Sequence, residues 1–259
     1  MATMRQPRRG NQGQANNHML LRSANPALSS KTFQNLPHTS GKTMTVDGTV
    51  NRVGLSLGIL LFFGYITFTL EITGLIFVGF IGGLILALIT IFKKHLAPKT
   101  VPIYAALEGV ALGGISYIFN EQFEGIVLQA ISLTSGILFS LLLAYKSRLI
   151  KVTENFKLGI VAATGGIFVV YMISFVMSLF GSGLSIMSST NGSLFSIGFS
   201  LVVVVIASLN LVLDFDFIEE GAEKGAPQYM EWYGAFGLLV TLIWLYIEIL
   251  HLLAKIRSR

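Results

Sequence analysis

The feature that most constrains this chain is a series of apolar runs, each about 20 residues long, the length that spans a bilayer's hydrocarbon core of roughly 30 Å as a helix. The chain therefore predicts an all-α membrane protein, a bundle of seven transmembrane helices. The predicted spans are approximately residues 53–70, 72–92, 101–119, 126–145, 158–180, 194–220 and 232–254.

Composition supports a membrane location and excludes several other classes. The 259 residues are 53% hydrophobic and only 12% charged, whereas a soluble domain carries roughly 25% charged residues. The absence of cysteine excludes disulfides, thiolate metal sites and a cysteine nucleophile. The basic residues behind the net charge of +5 lie in the tail and between apolar runs, a membrane pattern. The lipid bilayer is thus the predicted partner, and nucleic acid is not.

Two regions are predicted. Residues 1–50 are polar, basic and rich in Asn, Gln, Ser and Pro, which indicates a disordered cytoplasmic tail with a short helix near "TMTVDGTVNR". We expect no signal peptide, because the first apolar run begins far from the N-terminus and no small-residue cleavage site follows it. Residues 51–259 form the predicted seven-helix transmembrane domain.

Lysine and arginine in the short loops set the predicted orientation in the cell inner membrane. The tail and the second and fourth loops are basic, so we expect the N-terminus and the even-numbered loops to face the cytoplasm, although the sixth loop is mostly acidic. One feature conflicts with this assignment, because seven spans place the basic C-terminal "KIRSR" outside. Either the last segment violates the rule or it does not fully cross. The length of "YGAFGLLVTLIWLYIEILHLL" favours a crossing.

Three carboxyl residues, Glu108, Asp214 and Glu248, interrupt the apolar runs. An ionisable group in hydrocarbon is costly, so each is a functional hypothesis by default. Two carboxyls that face each other share a proton and titrate as a coupled pair. When both ionise they repel, and a divalent cation such as calcium, which prefers oxygen ligands, can replace the proton. The sequence therefore permits a pH-gated cation path, with Asn210 and Asp216 as accessory residues.

Simpler interpretations stand beside this one. Glu108 and Glu248 could each be a protonated carboxyl that is hydrogen-bonded between helices. Asp216 could belong to a solvated helix end together with its acidic neighbours. Depth along the helices gives a check. Glu108 and Asp214 lie about 10 Å and about 9 Å from the same face, whereas Glu248 comes out about 24 Å away. Glu248 therefore meets Asp214 only if the last helix starts late, tilts, sits deep or does not cross.

Enzyme chemistries fit the sequence poorly. A retinal protein needs a lysine in the last span, which offers only Glu248. An intramembrane zinc hydrolase needs clustered His and Asp ligands, and His251 is the only histidine in a span. The span serines that could serve a protease usually bond their own backbone. We expect neither an enzyme nor a cofactor.

Four stretches together resemble bacterial members of the Bax inhibitor-1/YccA family, the transmembrane Bax-inhibitor-motif group. They are "TMTVDGTV", "YAALEGVALGGIS", "LVLDFDFIEEG" and "WLYIEILHLL", within residues 43–257. The resemblance implies seven helices with the last surrounded by the other six. It also implies a pH-sensitive calcium leak governed by aspartates in the sixth and seventh helices. The sixth-helix aspartate falls on Asp214, and the seventh-helix aspartate falls on Glu248. The glutamate is a departure from the family, because the better-studied branch has aspartate there. The stretch "DFD" is a second departure from the family, because relatives often carry Thr-Gln after the aspartate.

The sequence thus predicts a pH-sensitive calcium leak gated by a buried carboxyl pair. Asp214 and Glu248 form this pair and bind calcium, and Glu108 is its third member. One alternative is a non-conducting membrane regulator that binds a membrane protease or another protein partner. A second is a proton-coupled transporter, which should show internal repeats, and we see no convincing repeat.

Overall fold

A computed structural model describes residues 41–181 and 183–259 of the chain. Most of the predicted tail, residues 1–40, lies outside this part. Two short 3-10 segments accompany the α-helices, and the described ranges contain no β-strand, only a single bridge between Thr43 and Pro227. The helices are α1 (Val46–Thr69), α2 (Ile76–Phe92), α3 (Ala97–Gln122), α4 (Ile126–Lys146), α5 (Glu154–Leu179), α6 (Leu194–Glu223) and α7 (Met230–Arg257).

Six of these helices, all except α2, are long and apolar enough to cross a membrane. The all-helical, multi-pass prediction is therefore confirmed for the described residues. Helix α2 is apolar but has only 17 residues, or about 25 Å, which is shorter than the hydrocarbon core of roughly 30 Å. The count of seven spans stays a prediction.

Helices α1, α3, α5 and α7 start earlier than predicted, and the residues at the first turn explain the starts of α1 and α3. Helix α1 begins inside the stretch assigned to the tail, and the Thr45 hydroxyl caps it by accepting a hydrogen bond from Gly48 N at 2.9 Å. Helix α3 begins at Ala97, with Pro98 in its first turn. N–H groups in the first turn have no partner within the helix, so proline there costs no backbone hydrogen bond. Pro102 lies inside α3 and removes one backbone hydrogen bond there.

Close approach between α1 and α3 depends on glycine. A Cβ atom added to Gly109 would lie 2.4 Å from the Leu60 carbonyl oxygen. A Cβ added to Gly113 would lie 2.4 Å from the Gly64 carbonyl oxygen. Lipid supplies no hydrophobic force between helices, so small residues that let backbones meet stabilise the pair. These glycines in "EGVALGGIS" therefore serve helix packing.

Helix α7 is the most enclosed of the candidate spans. Buried residues make up 67% of its apolar window, against 11% for α5. It packs against α1, α3, α4 and α6, and its buried side chains include Tyr233, Phe236 and Leu245. This enclosure agrees with a last helix inside the bundle, although a ring of six helices around it stays a prediction.

Contacts between helix ends establish an up-and-down arrangement. We call the end where α1, α3, α5 and α7 begin the near end, and the other the far end. At the near end, Met44 N donates to the Ala226 carbonyl at 2.6 Å, which joins the start of α1 to the α6–α7 connection. At the far end, Arg257 Nη1 donates to the Glu124 carbonyl at 2.8 Å. Depths below are measured from the near end.

Candidate carboxyl site in the helix bundle

Asp214 is the most completely enclosed of the three predicted carboxyl residues. Its exposed fraction is 0%, and neither carboxyl oxygen has a hydrogen-bond partner among the described residues. Helix α6 ends at Glu223, so Asp214 lies about 14 Å from the near end. An unpaired buried polar group costs about 1–3 kcal/mol, and a charged one costs more. Among the described residues, Asp214 is therefore the one with two buried side-chain atoms that form no hydrogen bond.

Two hydroxyl side chains lie at a similar depth on the helices that pack against α6. Thr241 of α7 faces the Asp214 carboxyl, but its hydroxyl donates to the Gly237 carbonyl of its own helix at 3.3 Å. Ser56 of α1 is fully buried, and its Oγ has no hydrogen-bond partner among the described residues. Counted from the starts of α1 and α7, Ser56 and Thr241 lie about 15 Å and about 17 Å deep.

Glu248 belongs to a separate site toward the far end. It is buried, and its Oε1 accepts hydrogen bonds from the Tyr171 hydroxyl of α5 and from Trp244 Nε1, the latter at 3.1 Å. This arrangement is one of the two interpretations that the sequence left open, a carboxyl that is hydrogen-bonded between helices.

Asp214 and Glu248 do not form the predicted direct pair. Both oxygens of Asp214 lack a partner, and Glu248 is engaged by Tyr171 and Trp244. The physical reason is axial register. Since Thr241 is the α7 residue that faces Asp214, Glu248 lies seven residues, or about 10 Å, further along the same helix.

Glu108 faces yet another helix. Its depth, counted from Ala97, is about 16 Å, which agrees with the predicted match to Asp214. However, a Cβ added to Gly83 of α2 would lie 2.4 Å from Glu108 Oε1, so the carboxyl points at α2. Glu108 is buried, but no hydrogen bond joins it to Asp214.

The two accessory residues also have partners of their own. Asn210 Nδ2 donates to Thr164 Oγ1 of α5 at 2.9 Å and to the Ile206 carbonyl at 2.8 Å. Asp216 pairs with the buried Lys157 of α5 at 2.7 Å. Asp216 therefore forms an ion pair with α5 and is not only a solvated residue at a helix end. Asn210 and Asp216 together hold α5 against α6.

Sequence reasoning missed the buried lysine at the end of α7. Lys255 is 2% exposed, and its amine donates to the Ile186 carbonyl at 2.6 Å and to Ser200 Oγ at 2.8 Å. The sequence treated it as a loop charge.

Seven-residue spacing is the signal that could have found these polar partners. Lys157, Thr164 and Tyr171 recur every seven residues in α5 and therefore lie near one helix face. Helix α7 has the same spacing at Thr241, Glu248 and Lys255. Both sets face α6 or each other through the contacts described above. A polar seam thus runs along the contact of α5, α6 and α7.

The described residues contain no group of three or more His, Cys, Asp or Glu side chains that could hold a metal ion. Calcium takes six to eight oxygen ligands as a tightly bound ion. A cation beside Asp214 would have to use hydroxyl, carbonyl and water oxygens as well as the carboxylate.

Comparison with known families decides the identity of the fold. A family model described as Bax inhibitor 1 like matches residues 25–258, nearly the whole chain. The chain belongs to the Bax inhibitor 1 like family. No curated protein and no solved structure matches it. The resemblance found in the sequence is confirmed, and the chain is a multi-pass membrane protein of the Bax inhibitor 1 like family.

Proposed function

We propose that this Bax inhibitor 1 like protein is a pH-sensitive cation leak, with calcium as the permeant ion. In this proposal it lies in the cell inner membrane with seven crossings, α7 in the centre and the near end in the cytoplasm. The observation that carries the proposal is the fully buried Asp214 carboxyl, neither of whose oxygens has a hydrogen-bond partner in the described part of the chain.

The state of Asp214 is restricted by its surroundings. An ionised carboxylate in a low-dielectric interior with no partner is strongly disfavoured. The carboxyl therefore either holds a proton or attracts a cation. Protonation favours the closed packing, and loss of the proton at higher pH draws a cation and water between α6 and α7. The Thr241 hydroxyl, now bonded within α7, can turn toward that cation.

Two successive sites along α7 suit this function better than one shared pair. Asp214 occupies the near half of the bundle, and Glu248 lies about 10 Å further toward the far end. A conducted ion must be bound well enough to enter a site but weakly enough to leave it. Separate carboxyls, each with neutral neighbours such as Thr241 and Tyr171, offer two weak stops. Glu108 faces α2 and is outside this route.

Calcium flux into proteoliposomes tests the proposal. Full-length protein is reconstituted, and calcium entry is followed with a trapped fluorescent indicator from mildly acidic to mildly alkaline pH. We expect flux to rise with pH in the native protein. Asp214→Asn should remove this pH dependence, because the amide cannot release the proton that closes the path. Glu223→Gln, at an exposed carboxyl on the same helix, should leave the pH dependence unchanged.

The outcomes separate the alternatives. A native protein that is folded and inserted but passes no calcium at any pH would overturn the leak and favour the non-conducting regulator. Flux that is present and has the same pH profile in Asp214→Asn would refute gating by Asp214 while leaving the leak intact.

A further inference from the structure

We propose that a membrane phospholipid binds in the groove between α1 and α4, with one acyl chain along the groove and its phosphate on Arg257. This site is separate from the carboxyl route and does not depend on the cation leak. It rests on the shape of the groove, its length, the internal bonding of its hydroxyls and the charge at its far end.

The groove has a volume of about 550 Å³ and is lined by four helices, and this volume is within the range of about 300–1,000 Å³ for small-molecule sites. Helices α1 and α4 form its two walls, and α3 and α7 form its floor. Leu61 and Leu128 stand on the opposing rims and are 53% and 72% exposed, whereas Leu112 and Leu242 of the floor are buried.

The surroundings of the groove point to an acyl chain. Its exposed rims belong to membrane-spanning helices, so the molecules that meet the opening are lipids. Along α4 the lining runs from near Gly125 to Leu138, about 20 Å. One leaflet of the hydrocarbon core is about 15 Å deep. The groove therefore has the length of one leaflet's acyl chain together with the start of its headgroup.

Three of the five hydroxyl side chains in the lining, including the two buried ones, are already bonded within the protein. Ser116 Oγ and Tyr246 Oη share a hydrogen bond of 2.7 Å, and Thr134 Oγ1 donates to the Ala130 carbonyl at 2.8 Å. A polar ligand would have to break these bonds to gain its own. An acyl chain needs none, so burial of its apolar surface proceeds without that cost.

The far end of the groove supplies a cation for the phosphate. Arg257 Nη1 donates to the Glu124 carbonyl and Nη2 to Gln129 Oε1, each at 2.8 Å. Both acceptors are neutral, so the guanidinium is held in place without losing its charge, and the residue is exposed. Glu124 is next to Gly125 in the lining. Guanidinium groups bind phosphate through charge-assisted hydrogen bonds.

Native mass spectrometry of the full-length protein tests this site. The protein is purified in a mild detergent, supplied with a deuterated phosphatidylglycerol and analysed for bound lipid. We expect one retained phospholipid per chain. Ser135→Phe fills the groove from α4, where Ser135 is part of the lining, and should lower retention about tenfold. Ser132→Phe makes the same change one turn away on the exposed face of α4 and should retain the lipid.

The headgroup contact has its own control. Arg257→Gln should weaken retention several-fold, whereas Arg259→Gln, an exposed arginine of the same C-terminal segment, should have little effect. A phospholipid with a photoreactive acyl chain should crosslink to groove residues of α1 and α4 in the native protein. This experiment needs no variant and is therefore independent of whether the variants fold. No retained phospholipid, equal retention in the two serine variants, or retention only of detergent or fatty acid would overturn the proposal.

Discussion

Thr241 of α7 faces Asp214 of α6, yet the Thr241 hydroxyl donates to the Gly237 carbonyl at 3.3 Å. Within residues 41–181 and 183–259, both Asp214 oxygens therefore have no hydrogen-bond partner. This relationship replaces the predicted carboxyl pair. A hydroxyl can rotate between a backbone acceptor and a carboxylate without any movement of the helices. The α6–α7 contact can therefore respond to a change at Asp214 while its backbone packing is kept.

Asp214→Asn should change how stability depends on pH. In the native protein, unfolding lets Asp214 release its proton to water, whereas in the dry interior ionisation is costly. The folding stability should therefore fall as pH rises, by up to about 1.4 kcal/mol per pH unit. The amide does not titrate, so the variant should lack this contribution. Chemical unfolding in detergent micelles over a series of pH values measures it, with Glu223→Gln as the exposed control. Parallel native and Asp214→Asn profiles would contradict this prediction.

Tyr171→Phe should destabilise the bundle by about 1–2 kcal/mol, because it leaves the buried Glu248 carboxyl with Trp244 as its remaining donor. The chain offers a matched control. Tyr145 also donates to a carboxylate, Glu219, but at an exposed position, so Tyr145→Phe should cost no more than about 0.5 kcal/mol. Thermal unfolding of both variants in one detergent makes the comparison. Equal losses would mean that burial of the Glu248 contact adds nothing.

The positions of the helices could be predicted from the sequence, because they depend on local hydropathy. The contacts between helices could not, because they depend on which residues of neighbouring helices face each other. The apolar cores of α1 and α3 to α7 were identified because about 20 apolar residues report a span directly. The starts at Val46 and Ala97 were missed because capping and a proline-tolerant first turn set them. The direct Asp214–Glu248 pair came from the family resemblance and is not formed. The depth counts, which placed Glu248 about 15 Å deeper than Asp214, already indicated this mismatch. Glu248 bonds Tyr171, 77 residues away along the chain, and no local pattern indicates that contact.

Gly48→Ala should loosen the attachment of α1 to α7. The Glu231 Oε1 atom accepts hydrogen bonds from Thr45 N at 3.2 Å and from Thr45 Oγ1 at 3.1 Å. A Cβ on Gly48 would lie 2.0 Å from that same oxygen and would displace it. We expect a loss of about 1–3 kcal/mol, seen as a lower midpoint of thermal unfolding.

Gly54→Ala is the control for this change, since nothing lies within 4 Å of a Cβ at Gly54 on the same helix. It should be neutral or stabilise α1 by up to about 1 kcal/mol, because alanine favours helix more than glycine does. If Gly48→Ala proved as harmless as Gly54→Ala, the Glu231 contact would not fasten α1 to α7.

Lys255→Met should release the α5–α6 connection at the far end. The native amine ties α7 to the Ile186 carbonyl and to Ser200 of α6, and methionine fills similar space without a donor. The buried Ser200 Oγ would lose this donor, and the Ile186 carbonyl would keep only the Ser196 hydroxyl, which donates to it at 2.9 Å, so we expect a cost of about 1–2 kcal/mol. Hydrogen exchange should speed up in residues 183–193, while Lys99→Met, at an exposed lysine, should leave their exchange unchanged. Unaltered exchange in Lys255→Met would show that Lys255 does not stabilise this connection.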